Sequence, residues 1–147
     1  MRRSGLLLAL AVAFLLAIGS AQATPGQLDA SFGGTGRVTT SFGTGSGGAS
    51  ALVLQPNGKL VAAGYSHPGS SSVFALARYN PDGSLDTSFN GTGKVTTPFG
   101  THQDEAYALV LQPDGKLVAA GFSNTGSQNV FALARYNPDG SLDTSFN

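Results

Sequence analysis

An all-β fold of two tandem four-stranded sheets is predicted by three features of this 147-residue sequence. Residues 28–84 and 85–141 align without a gap and are identical at 42 of 57 positions. Each copy holds four short runs rich in Val, Leu, Phe and Tyr, bounded by Gly, Pro, Asn or Asp, which is the pattern of strands. Glycine fills 21 positions, and beyond residue 23 no window of a dozen residues carries a helical apolar period.

The chain opens on Arg2 and Arg3, then an unbroken apolar run of 13 residues from Leu6 to Ile18, then Gly19-Ser20-Ala21-Gln22-Ala23. Residues 1–23 therefore read as a secretory signal peptide, too short for a membrane span, and residues 24–27 as a short leader. Export to a bacterial periplasm, cell surface or extracellular space is expected, with no membrane span after cleavage. Cleavage leaves six Lys/Arg against eight Asp/Glu, a net charge of −2. Nucleic acid is a poor partner for such a chain, because phosphate recognition needs clustered positive charge. Cysteine is absent, so sheet hydrogen bonds and apolar packing must hold the fold, and no lipid anchor is expected.

In the second copy the four runs are Lys94 to Phe99, Ala106 to Gln112, Lys116 to Ser123 and Val130 to Asn137. Asn57-Gly58 and Asp114-Gly115 sit between the second and third runs and predict a tight hairpin with positive φ angles. Asn80-Pro81-Asp82-Gly83 and its repeat at 137–140 predict a second turn after the fourth run. Leu-Val-Ala-Ala-Gly (60–64, 117–121) and Phe-Ala-Leu-Ala (74–77, 131–134) are apolar on both faces, with many small side chains. Such sheets must be covered on both sides, and face-to-face stacking of antiparallel propeller-type blades does this. Residues 28–84 are then blade one, 85–141 blade two, and 142–147 the start of a third repeat or an end-cap.

The runs Leu-Asp-Thr-Ser-Phe-Asn-Gly-Thr-Gly-Lys-Val, Ala-Leu-Val-Leu-Gln-Pro-Asp-Gly-Lys-Leu-Val-Ala-Ala-Gly and Phe-Ala-Leu-Ala-Arg-Tyr-Asn-Pro-Asp-Gly-Ser-Leu-Asp resemble the bacterial delta-60 repeat family across residues 28–147. The resemblance implies a β-propeller in an exported or surface protein, with no common activity and no site residues to transfer. Two blades do not close a ring of four to eight. Self-association or further repeats would complete one; a fragment of a longer repeat protein, or a two-sheet sandwich, are the other readings.

Several motifs weigh towards scaffold. Gly43 to Gly48 matches G-x-G-x-x-G, but a strand follows where a dinucleotide site needs a helix. Asp86, Ser88 and Asn90 have the alternate spacing of a calcium loop, but Thr97 stands where its bidentate Glu belongs. A turn-forming role for Asp86 fits better, with calcium the weaker alternative; otherwise no cofactor is expected. Arg78 and Arg135 recur once per copy, as do Asp29, Asp86 and Asp143, which suggests an ion pair between blades. Neighbouring carboxylates Asp104 and Glu105 are expected to be solvated. With no Cys, no paired His and no nucleophile-elbow Ser, a noncatalytic scaffold or interaction module is expected. The alternative is a propeller-type hydrolase or lyase with a site assembled between chains.

The 15 differences between the copies cluster. Five fall at 45–48 and 50 against 102–105 and 107, and four at 67, 68, 71 and 72 against 124, 125, 128 and 129. Both loops should lie at one end of a blade. Binding surfaces sit on variable loops over rigid scaffolds, so His102, Gln103, Asp104, Glu105, Tyr107, Asn124 and Gln128 are candidates for contacting a protein or glycan partner.

Overall fold

The computed structural model describes residues 25–146, so residues 1–23, where a signal peptide is expected, Thr24 and Asn147 lie outside the described residues. Seven strands follow in order: β1 Gly47–Leu54, β2 Leu60–Ser66, β3 Val73–Tyr79, β4 Lys94–Thr97, β5 Asp104–Leu111, β6 Leu117–Asn124 and β7 Asn129–Tyr136. They form two antiparallel sheets, β1-β2-β3-β4 and β5-β6-β7, and the described residues contain no helix.

The phase of the blades differs from the sequence expectation. Lys94–Thr97 was expected to open blade two, yet it closes the first sheet, with Phe74 opposite Thr97 and Leu76 opposite Val95. The first sheet thus has four strands, while the second has three among the described residues. The equivalent of β4 at the front of the chain, residues 37–42, has no ladder partner among the described residues and lies against the first sheet. There the Tyr79 hydroxyl donates to Thr40 Oγ1 at 2.8 Å, as Tyr136 does to Thr97 Oγ1 at 2.8 Å. A strand of one blade therefore pairs by its edge with that blade and meets the next blade with its face.

The hairpin turns are also built differently. Only Gly58 and Gly115 take positive φ in the 55–59 and 112–116 turns. Asn57 and Asp114 instead accept the amides of Lys59 and Lys116 at 3.1 Å each. Pro56-Asn57-Gly58 is thus a three-residue loop closed by Gln55 N–H to the Lys59 carbonyl at 2.8 Å, with the left-handed residue last.

The core lies between the sheets. Val61, Ala63, Phe74 and Leu76 face Ala106, Leu117, Ala119, Ala132, Ala134 and Tyr136, all buried. Large residues on one sheet meet alanines on the other, so the layers approach closely. The opposite face of the second sheet is uncovered: Phe131 is 96% exposed, against 0% for its counterpart Phe74.

Candidate functional site

The recurrent Asp and Arg form a saturated polar cluster at the turn end of each sheet. Arg78 is the last residue but one of β3, and eight residues later Asp86 Oδ2 accepts its Nε at 2.6 Å and Lys59 Nζ at 2.7 Å. Asp86 Oδ1 accepts the Ser88 amide at 3.2 Å and its hydroxyl at 2.7 Å. Arg78 also donates to Ser88 Oγ and to the carbonyl of Pro138 in the turn after β7, and its guanidinium lies 4.6 Å from the Phe89 ring centre. The pair joins residue 78 of the first repeat to residue 86 of the second, and the shifted phase puts both at the turn end of the first sheet. What crosses to the other is a bond to a backbone carbonyl.

The second sheet repeats this arrangement. Asp143 takes Arg135 at 2.7 Å, Lys116 at 2.9 Å, and the Ser145 amide and hydroxyl, while Phe146 lies under Arg135 at 4.5 Å. Among the described residues Asp29 has only Ser31, whose amide and hydroxyl donate to it. Lys59 and Lys116 were missed in the sequence, although each recurs directly after the hairpin glycine.

The segment following Asp86 fastens the two sheets together. Asn90, the only non-glycine with positive φ among the described residues (51°), donates its amide to the Asp139 carbonyl at 2.6 Å. Its side chain donates to the Lys94 carbonyl at 3.0 Å. Phe89 is fully buried against Gly140, where an added Cβ would fall 2.8 Å from the ring. Asp86 and Ser88 thus spend their side-chain oxygens on structural bonds. Calcium would have to displace Lys59 and Arg78 from the carboxylate it needs. Isothermal titration with millimolar calcium is expected to show no binding heat; a saturable isotherm lost in Asp86→Asn would reverse that assignment.

At the other end, the divergent loops meet. Asn124 N–H donates to the Gln103 carbonyl at 2.8 Å, and Thr125 N–H to that of Gln128 at 2.9 Å. His102 lies beside Gly126, whose added Cβ would fall 2.8 Å from its Nε2. The first sheet joins them: the Ser71 hydroxyl donates to the Thr101 carbonyl at 2.9 Å, and Asp104 N–H to the Ser72 carbonyl at 3.0 Å. His102, Gln103 and Gln128 are exposed there, with Asn124 half-buried.

Three candidates sit elsewhere. Asp104 was expected to be solvated but is fully buried at the start of β5, where Oδ2 accepts the Phe99 amide at 2.8 Å. Its Oδ1 and the buried Ser72 Oγ have no hydrogen-bond partner among the described residues. Glu105 and Tyr107 point to the open face of the second sheet, the Tyr107 hydroxyl donating to Glu105 at 3.2 Å and its ring 5.8 Å from Phe122. Tyr107 occupies the bulge between Ala106 and Ala108, which turns it out of the ladder.

Among known proteins, the family described as "Domain of unknown function (DUF5122) beta-propeller" matches residues 55–89 and 112–146. The two windows are 57 residues apart, one in each copy, and each runs from the hairpin turn through the Arg–Asp cluster to its Phe. The match supports a β-propeller repeat family. No curated protein matches the chain.

Proposed function

We propose that this chain is an exported, noncatalytic β-propeller repeat module of the delta-60 type, a scaffold that presents one variable loop surface to a protein or glycan partner. The observation that carries this reading is the division of labour between the two ends. At the turn end, Asp86 and Asp143 each face an Arg and a Lys, which supports a scaffold role over acid–base work. At the loop end, His102, Gln103, Asn124 and Gln128 converge at positions where the copies differ. Rigid sheets carrying divergent, exposed loops are the usual arrangement of a recognition surface. Completion of a ring, by self-association or by further repeats, belongs to the same reading.

The test is a screen of the full-length chain against glycans and cell-surface proteins, followed by the swap His102→Gly, Gln103→Ser, Asn124→His and Gln128→Ser, which takes the residues of the other copy and leaves the buried Asp104 in place. Binding is expected to fall at least tenfold in the swapped chain while its melting temperature moves by a few degrees at most. Binding that survives the swap unaltered would remove these loops from the function.

A further inference from the structure

We propose that Asn57 is a self-modification site: the Asn57-Gly58 turn converts its own carboxamide to a carboxylate without an enzyme, far faster than the chain's other Asn-Gly pair does.

The reaction needs an asparagine followed by an unhindered backbone N–H. Gly58 N attacks Asn57 Cγ and gives up its proton to water or hydroxide. The Cγ–Nδ2 bond then breaks, and the nitrogen leaves as ammonia. Water opens the resulting five-membered imide at either carbonyl, giving aspartate or isoaspartate. Nothing is oxidised or reduced, and water is the sole co-reactant. Sequence narrows the candidates to two. Asn80 and Asn137 precede prolines, which have no N–H to attack with. Asn124 and Asn129 precede Thr125 and Val130, whose branched side chains crowd the approach. Among the described residues Asn57-Gly58 and Asn90-Gly91 remain.

The two carboxamides are held in opposite senses. At Asn57 the Lys59 N–H donates to Oδ1 at 3.1 Å, and Nδ2 has no partner among the described residues. That donor points at the oxygen on which negative charge develops during attack, so it stabilises the tetrahedral intermediate. Asn57 is exposed, so water can protonate the departing nitrogen. At Asn90 it is Nδ2 that is engaged, donating to the Lys94 carbonyl at 3.0 Å, while no donor reaches its Oδ1 among the described residues. Here the leaving group is tied down and the oxyanion has no support. Backbone freedom points the same way. Asn90 N–H is fastened to the Asp139 carbonyl at 2.6 Å, next to the fully buried Phe89. The 55–59 turn is closed only on itself, and the bond from Gly58 N–H to the Gln55 carbonyl at 2.9 Å must open before attack.

The product already stands one repeat further on. Asp114 accepts the Lys116 amide at 3.1 Å, as Asn57 accepts that of Lys59. Gly115 has φ 84° against 80° for Gly58, and both turns close with the same two bonds, at 2.9 and 2.8 Å. Aspartate at position 57 therefore keeps the turn. Isoaspartate adds a methylene to the main chain and cannot keep both closing bonds. Asn57 and Asp114 line one groove between the hairpins, with Lys59 and Arg78, so conversion gives that groove a second carboxylate.

The full-length chain is held in mildly alkaline buffer, folded and in urea, and peptide mapping by mass spectrometry follows the one-dalton gain at each site. In the folded chain position 57 is expected to convert at least tenfold faster than position 90. In urea the two rates should come within threefold of each other, since both pairs are then plain Asn-Gly. Asn57→Asp, the converted form, is expected to melt within a degree or two of the parent. A folded ratio below tenfold overturns the proposal. A ratio that persists in urea overturns the role of the turn, because the selectivity then comes from flanking sequence. A larger loss of melting temperature in Asn57→Asp overturns the fit of the product.

Discussion

Gly121→Ala is expected to destabilise the fold by about 3 kcal/mol or more, enough to unfold much of a domain of ordinary stability. An alanine Cβ at 121 would fall 1.9 Å from the Glu105 carbonyl oxygen and 2.9 Å from Ala106 Cα, both backbone atoms. Neither can move without opening the β5–β6 ladder, because the chain is pinned on one side by the Asp104–Ser123 pairing and on the other by the bulge before Ala108. Gly64 repeats the geometry, with a Cβ 2.0 Å from the Gly48 carbonyl oxygen beside the bulge before Ala51. At an unstrained strand position the same change would stabilise by about 0.5–1 kcal/mol, so even the sign is diagnostic. Urea unfolding of Gly121→Ala and Gly64→Ala measures it. A midpoint at or above that of the parent would mean that the strands can spread without loss.

Asp86→Ala is expected to destabilise by about 3 kcal/mol, since it leaves Arg78 buried in the sheet with no carboxylate facing it. Asp143→Ala should cost less. Arg135 is more exposed than Arg78, 20% against 7% for the side chains, so water can replace the lost partner. The same cluster sets the acid limit of the fold. Burial pushes the Asp86 carboxyl up, but the bonds from Lys59 and from the Ser88 hydroxyl and amide, with the Arg78 charge, outweigh it and hold it well below the usual carboxylate range. A carboxyl that is more acidic folded than unfolded contributes its full stability above about pH 4, and loses it as pH falls further towards the folded value. Chemical unfolding between pH 7 and pH 2 should show the parent losing stability on the acid side of pH 4, and Asp86→Ala losing less over the same interval. Parallel pH curves for the two proteins would mean that the pair does not contribute.

The strands and both turns were legible because they depend on local chemistry. Val, Leu and Phe alternate over short runs, and Gly58, Gly83, Gly115 and Gly140 stand where the chain reverses with positive φ. The turn type was not legible in full, since Asn57 and Asp114 act through their side-chain oxygens and not through left-handed backbone. Asp104 read as a surface residue because it follows a polar loop. It is buried because the Ser72 carbonyl and the Phe99 amide from the first sheet close over it, a contact that no local window contains. Lys59 reaches Asp86 across 27 residues for the same reason.

The sequence by itself determined the repeat of 57 residues, the strand chemistry, the recurrent Arg and Asp, and the clustering of differences in two loops. Only the tertiary structure decided where one blade ends and the next begins. Near-identical copies determine the period of an array but leave its phase open, because Lys94–Thr97 has the same local preferences whichever sheet it joins. The choice falls to long-range terms: the edge of β3 offers unpaired backbone to β4, while Tyr136 and the second sheet cover the face of β4. That phase leaves β7 with one edge unpaired, and residues 37–42 without a ladder partner, among the described residues.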